Sequence, residues 1–353
     1  MEARLAWIAL NLARGVDRVL LHTMVEEQLD IRASFEDAGL FARLAGRAGV
    51  GAEGLLESAE KEIEKAEAVG ATIVTLGDSS YPPELLEIYD PPLALYCLGK
   101  LPAGGGLAIV GSRSATHYGI AVARSLSREV AAHGVAVVSG FARGIDTAAH
   151  LAALEAGGAT VAVLGSGLNC PYPRENHQLI PKIACGGCVA TEFPFDTKPL
   201  PMNFPMRNRI ISGLGARGTL VVEAAERSGA LITARLASDQ GREVYAVPGN
   251  ITSPLSAGTN RLIQQGARVV GSAADLLNDL GLFAAGQGAP VPHPLEGEEA
   301  AIYDRLSVDS PVHIDALSTE LGMFPSRLLT ALLALELKNR VRQLPGKFFL
   351  RTL

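Results

Sequence analysis

The run Leu107-Ala108-Ile109-Val110-Gly111-Ser112-Arg113-Ser114-Ala115-Thr116-His117-Tyr118-Gly119, followed by a helical pattern over Ile120–Ala132, decides the fold. Four consecutive apolar residues stop at a glycine and a short polar loop. A strand apolar on both of its faces must be covered on both, which parallel sheets with helices on either side provide. The same unit recurs outward along the chain. Val135–Gly140, Thr160–Gly165 and Thr219–Glu223 are apolar runs ending in Gly or a polar turn, with Cys188–Thr191 and Glu243–Val247 as weaker members. Thr147–Ala156 and Ala230–Gln240 have helical spacing. The fold class is therefore α/β with a mostly parallel sheet. Right-handed crossovers gather the loops after each strand at one edge.

Flanking segments differ in character. Leu5, Ile8, Ala9 and Leu12 share a helical face, and 53–68 is a charged amphipathic helix, so residues 1–75 are expected to form a small all-α domain of the sterile-alpha-motif or helix-hairpin-helix sort. Tyr81-Pro82-Pro83 and Asp90-Pro91-Pro92 mark a junction, followed by an expected edge strand at Ala94–Leu98. Residues 76–280 hold the sheet, and the Gly/Pro-rich stretch 281–295 is a linker by composition. In 296–353, helices at Glu298–Leu306, Ile314–Leu321 and Ser326–Leu337 precede a hairpin of Val341–Leu344 and Lys347–Arg351, a winged-helix pattern.

The chain has 353 residues, 48% hydrophobic and 19% charged, which excludes disorder and coiled coil. It has no long uncharged apolar stretch and no signal-peptide layout, so a cytoplasmic location without membrane contact is expected. Its net charge of −6 conceals a division. Residues 1–106 carry 9 Lys+Arg against 17 Asp+Glu, 107–270 carry 15 against 10, and 271–353 carry 7 against 10. The central block is thus basic, and thirteen of its fifteen cations are Arg, the bidentate reader of phosphate.

Several chemistries lack their residues. There is no G-x-x-x-x-G-K-[ST] phosphate loop and no G-x-S-x-G elbow, and Gly165-Ser166-Gly167-Leu168-Asn169-Cys170 lacks the third glycine of a dinucleotide fingerprint. Cys185-Gly186-Gly187-Cys188 is a C-x-x-C without a second ligand pair. His133 and His150 sit in helical stretches and read as structural. No catalytic residue, metal or cofactor is expected. What remains is a repeated anion-binding pattern. Gly111-Ser112-Arg113 leads to a helix start whose amides suit a phosphate, and Phe141-Ala142-Arg143-Gly144-Ile145-Asp146 follows the second strand, with Asp146 a candidate helix cap. Gly165-Ser166-Gly167 follows the third, and Phe204-Pro205-Met206-Arg207-Asn208-Arg209 lies beyond the fourth. Arg113, Arg143, Arg207 and Arg209 are candidate phosphate contacts, and Phe141 or Phe204 a candidate stacking residue. Arginines interleaved with loop aromatics, Tyr118 and Tyr172 included, suit single-stranded nucleic acid.

The order Tyr81-Pro82-Pro83, Gly111-Ser112-Arg113, Ser139-Gly140-Phe141-Ala142-Arg143-Gly144-Ile145-Asp146, Arg207-Asn208-Arg209-Ile210-Ile211-Ser212, Ser228-Gly229-Ala230-Leu231-Ile232-Thr233-Ala234, Val247-Pro248-Gly249 and Gly258-Thr259-Asn260-Arg261 closely resembles the bacterial DNA-processing protein A (DprA, also Smf) family over about residues 80–280. The resemblance implies an extended Rossmann-like core that binds single-stranded DNA and dimerises, and a non-enzymatic recombination mediator. Such a mediator loads RecA on transforming strands past single-strand-binding protein. It implies DNA contact by Arg113 above all, with Gly111, Ser112, Phe204, Arg207, Asn208 and Arg209 lining the pocket. One departure points elsewhere. Gly218-Thr219 and Glu223 resemble part of the P-G-G-x-G-T-x-x-E loop of lysine-decarboxylase-like phosphoribohydrolases, which would make the chain a nucleotide hydrolase using Arg209 and Glu223.

Overall fold

A computed structural model describes residues 2–13, 16–17, 20–21, 23–24, 27, 29–45, 51–282, 295, 297–338 and 340–351. Nine strands form the main sheet: β1 (Thr72–Thr75), β2 (Ala94–Gly99), β3 (Gly106–Val110), β4 (Ala136–Ser139), β5 (Thr160–Val163), β6 (Cys188–Thr191), β7 (Thr219–Val221), β8 (Val244–Ala246) and β9 (Arg268–Val269). Their spatial order is β1-β2-β6-β5-β4-β3-β7-β8-β9. Every pair from β6 to β9 is parallel, whereas β1–β2 and β2–β6 are antiparallel.

The decisive run shows why both faces are covered. Leu107 and Ile109 enter one cluster with Val122, Leu126 and Val130 of the helix His117–Ala132. Ala108 and Val110 enter the opposite one with Ile210, Ile211 and Leu214 of the helix Asn203–Leu214. Two-residue alternation sends each apolar side chain to a different helical layer. Burial of this kind contributes about 1.5–3 kcal/mol for each large side chain.

Ala94–Leu98 was expected as an edge strand, but β2 is interior. The prolines end before it, so both of its edges pair, with β1 on one side and β6 on the other. β1 is the true edge on that side, and it lies within the segment assigned to the N-terminal helices. Ile8 and Leu55 of the helices Ala3–Leu12 and Ala52–Ala68 share a cluster with Ile73, Tyr96 and Phe195 of the sheet side. Polar links reinforce it. Asn11 donates to Glu192 O at 3.0 Å, Phe195 N donates to Glu62 Oε2 at 2.8 Å, and Lys65 pairs with Asp196 at 2.7 Å.

Phe204, read among the aromatics of the post-strand loops, lies instead in the first turn of a helix, Asn203–Leu214. Pro205 lies in its first turn, where a missing N–H costs nothing. The 281–295 linker falls almost wholly outside the described residues. Beyond it, helices Gly297–Arg305, Ile314–Leu321 and Pro325–Leu337 pack with a sheet of order β10-β12-β11, namely Val312–His313, Phe348–Arg351 and Val341–Leu344. Ile302, Leu317, Leu328, Leu332, Leu335 and Phe349 are the heart of a separate cluster, so this winged helix has its own core.

Candidate nucleic-acid interface

Chain progression reverses between β3 and β7. From β3 the strands advance through β4 and β5 to β6, and from β7 they advance the other way through β8 to β9. The loops leaving β3 and β7 therefore diverge and leave a crevice at the carboxyl ends of the strands. A cleft of about 850 Å³ occupies it, walled by Gly111–Ser114, Ala225, Arg227–Gly229 and one side of the helix Asn203–Leu214.

Six of the sequence-derived candidates meet there: Gly111, Ser112, Arg113, Phe204, Arg207 and Asn208. Arg113 is exposed, with its guanidinium carbon 5.5 Å from the centre of the Phe204 ring, and has no carboxylate partner among the described residues. Arg207 contributes differently. It is 4% exposed and donates through Nη1 to Gly140 O at 2.8 Å and to Val163 O, tying the ends of β4 and β5 together. Burial pulls it down to about 10, against the opposing pull of Asp146, so it stays charged at neutral pH. Asp146 is not the helix cap. Its Oδ2 reaches back to accept from Gly140 N at 3.1 Å and Ala142 N at 3.2 Å. A Cβ on Gly140 would lie 2.7 Å from that oxygen and 3.0 Å from Arg207 Nη2, so only glycine closes this strand end.

The other candidates lie off the cleft. Arg209 sits two positions from Arg207, about 200° around a helix. It bonds both carboxylate oxygens of Glu192 at 2.6 Å, and Asp90 Oδ2 at 3.0 Å. Burial opposes its charge, but these two carboxylates hold its guanidinium above its ordinary value. Phe141 is fully buried, with φ 60°, and its carbonyl accepts from Asn176 Nδ2 at 2.9 Å. Its ring fills core and presents no face for stacking. Arg143 pairs with Glu175 at 2.5 Å on the surface. Gly165, Ser166 and Gly167 are buried; a Cβ on Gly165 would strike the Phe204 ring at 2.8 Å and one on Gly167 would strike Pro194 O at 2.1 Å. That glycine run lets protein approach protein.

The helix start at 116–119 already holds an anion of its own. Thr116 N donates to Glu223 Oε2 at 2.9 Å and the Thr116 hydroxyl donates to Glu223 Oε1. The carboxylate fills the place where a phosphate was expected, and a Cβ on Gly119 would fall 2.3 Å from it. The same bonds give Glu223, the acidic residue of the phosphoribohydrolase reading, a structural role at this helix start.

Residues 72–281 match the family model described as DNA recombination-mediator protein A, and residues 287–347 match the DprA winged helix domain. The chain belongs to the DNA recombination-mediator protein A family. Among its relatives, Protein Smf of Escherichia coli is 38% identical over 363 residues, covering 98% of this chain and 95% of that one. DNA processing protein DprA of Bacillus subtilis is 44% identical over 214 residues, covering 60% of this chain and 72% of that one. The solved DprA of Streptococcus pneumoniae superposes with a TM-score of 0.63 at 34% identity, covering 77% of this chain and 97% of that one. DNA processing protein A of Helicobacter pylori, described with a unique single-stranded DNA binding mode, gives 0.53 at 31%, covering 59% and 95%.

In this DprA-family member the cleft includes residues that reading the sequence did not select. Arg227 is exposed on the wall opposite Arg113, followed by Ser228, whose hydroxyl caps the helix Gly229–Asp239 at Ala230 N. A cation just before a Ser-Gly helix start on a post-strand loop was a legible signal. Tyr172 was noted only as one aromatic among several, yet it lines the cleft and meets Phe204 edge to face at 5.9 Å. Among the described residues no cluster of His, Cys, Asp or Glu has the geometry of a metal site, and no helix is long and apolar enough to cross a membrane.

Proposed function

We propose that the protein binds single-stranded DNA in the β3/β7 cleft and acts as a recombination mediator. In this role it protects incoming DNA in the cytoplasm and, as a homodimer, loads RecA past single-strand-binding protein during natural transformation. One observation carries the reading. Arg113, an exposed guanidinium without a carboxylate partner among the described residues, lies over an aromatic ring at the mouth of a strand-end crevice. A phosphate satisfies the cation, and a base satisfies the ring. Arg227 offers a second cation on the opposite wall, and buried Arg207 fixes the floor. Membership of the DNA recombination-mediator protein A family and the single-stranded DNA binding mode of the Helicobacter pylori relative support the same reading. The role requires no bond to be made or broken, so the protein is proposed to act without catalysis.

The test has two stages. Titration of a fluorescent oligothymidine should give binding that weakens linearly in log–log form as salt rises, and Arg113→Ala should weaken it further. Assembly of RecA filaments on strands coated with single-strand-binding protein should then accelerate with the wild type and not with Arg113→Ala. Salt-independent binding, or an unaltered Arg113→Ala, would refute the cleft.

A further inference from the structure

Four side chains form a row that runs out of the cleft. The Arg113 guanidinium lies 5.5 Å from the Phe204 ring centre, Phe204 meets Tyr172 at 5.9 Å and 64°, and the Arg143 guanidinium lies 5.9 Å from the centre of Tyr172. Cation, ring, ring, cation is the sequence along this track. Two further aromatics of the same loops, Phe141 and Phe195, are fully buried, whereas Tyr172 is 42% exposed.

Nor is Tyr172 on a loose loop. His177 Nε2 bonds to Pro171 O at 2.8 Å, Asn169 Nδ2 donates to Asp196 Oδ1 at 2.8 Å, and the neighbouring Arg143 is held by Glu175. An aromatic face kept partly in water by a braced loop loses the burial energy that a ring normally gains. Binding a second flat apolar surface restores it.

We propose that Tyr172 is a second base-stacking platform, one nucleotide along from Phe204, and that the pair selects for an extended single strand. This deepens the single-stranded DNA reading of the same cleft and rests on it. The spacing supplies the selectivity. Ring centres 5.9 Å apart exceed the roughly 3.4 Å advance per nucleotide of a duplex strand. The 64° between the rings also requires successive bases to turn against each other, which a free strand does and a paired one does not. Arg143 then faces the phosphate beyond the second base. Its bond to Glu175 is an exposed ion pair, the kind a competing phosphate displaces at small cost.

Thymidine nucleotides from the monophosphate to a dodecamer, titrated against wild type, Tyr172→Leu, Tyr172→Phe and Arg113→Ala, test the proposal. Leu keeps the apolar contact with Phe204 while removing the stacking face. Tyr172→Leu should bind thymidine monophosphate as wild type does and the dodecamer at least about fivefold more weakly, the loss of one base–aromatic stack. Tyr172→Phe should match wild type at every length, and a dodecamer of abasic sugars should not distinguish Tyr172→Leu from wild type. Equal dodecamer affinity for Tyr172→Leu and wild type overturns the second platform, as does a Phe variant as weak as Leu or a Leu variant equally weak at all lengths. Arg113→Ala separates the two readings. Its failure to weaken any oligomer sinks the cleft itself, whereas its weakening of all lengths beside an unaffected Tyr172→Leu sinks the second platform alone.

Discussion

Glu223 Oε2 accepts a hydrogen bond from Thr116 N at 2.9 Å, closing the start of one helix with a carboxylate 107 residues further along the chain. A negative charge on the amides and dipole of a helix start is stabilising, and here it is also buried. Removing it leaves the Thr116 amide and hydroxyl without their acceptor. Glu223→Ala should lower unfolding stability by about 2–3 kcal/mol in urea titration. Neither it nor the wild type should release free base from nucleoside monophosphates. Base release by the wild type that Glu223→Gln abolishes would restore the hydrolase reading.

Arg113 and Arg209 separate binding from stability. Arg113→Ala should cost affinity for oligothymidine and reduce the salt slope by about one, the signature of one lost phosphate contact, with no change in melting temperature. The measurement is the same titration repeated over a series of salt concentrations.

Arg209→Met should do the reverse. Glu192, whose side chain is 8% exposed, would be left buried without its main partner, and breaking such a pair costs about 3–5 kcal/mol. DNA affinity at a temperature where the variant is folded should be unchanged. Adding Glu192→Leu should recover much of the stability.

His150 makes a pH prediction. Its Nδ1 lies 2.7 Å from the Thr160 hydroxyl, which itself donates to Val137 O, so the imidazole carries its proton on Nδ1. Burial, and then the charge of Arg207, pushes its pKa down from 6.5 to about 3. Between those values the unfolded chain binds a proton that the folded chain does not, so stability is full above pH 6.5 and is lost as pH falls through the window. The slope from this residue alone is about 1.4 kcal/mol per pH unit. His150→Gln should flatten the denaturation midpoint against pH between 6 and 4 relative to wild type.

The winged helix should not contribute groove binding. On and beside its last helix, Arg327 pairs with Glu298 and Lys338 with Glu299, while Leu329 and Leu333 are exposed. A duplex reader needs free cations there. Truncation after residue 282 should leave oligothymidine affinity unchanged, and duplex affinity should not fall in gel-shift titration.

The strands that could be read from sequence are those buried on both faces. Leu107–Val110 and Val161–Val163 are apolar throughout, so composition alone locates them. β9 is two exposed residues, Arg268 and Val269, defined only by pairing with β8. Periodicity carries no signal for it. The cleft was legible at Arg113 because a cation after a strand-ending glycine has few structural uses. Arg209 was not, because its partners Asp90 and Glu192 lie 119 and 17 residues away and are brought to it by tertiary packing. Phe204 read as a loop aromatic because Pro205 and the run Arg207-Asn208-Arg209 interrupt the apolar spacing of a helix whose burial is set by the sheet beneath it.

The polar links from the N-terminal helices to Glu192, Phe195 and Asp196 have a mechanical consequence. These three residues begin the segment that leaves β6 and arrives at Pro199 and Pro201 in the cleft wall. The helix Ala52–Ala68 and the wall are thus parts of one strut, anchored through Glu62 and Lys65. Stiffness at the wall is set partly from outside the sheet, by residues that never approach the cleft. The acidic N-terminal layer serves as the fixed end against which one side of the crevice is held.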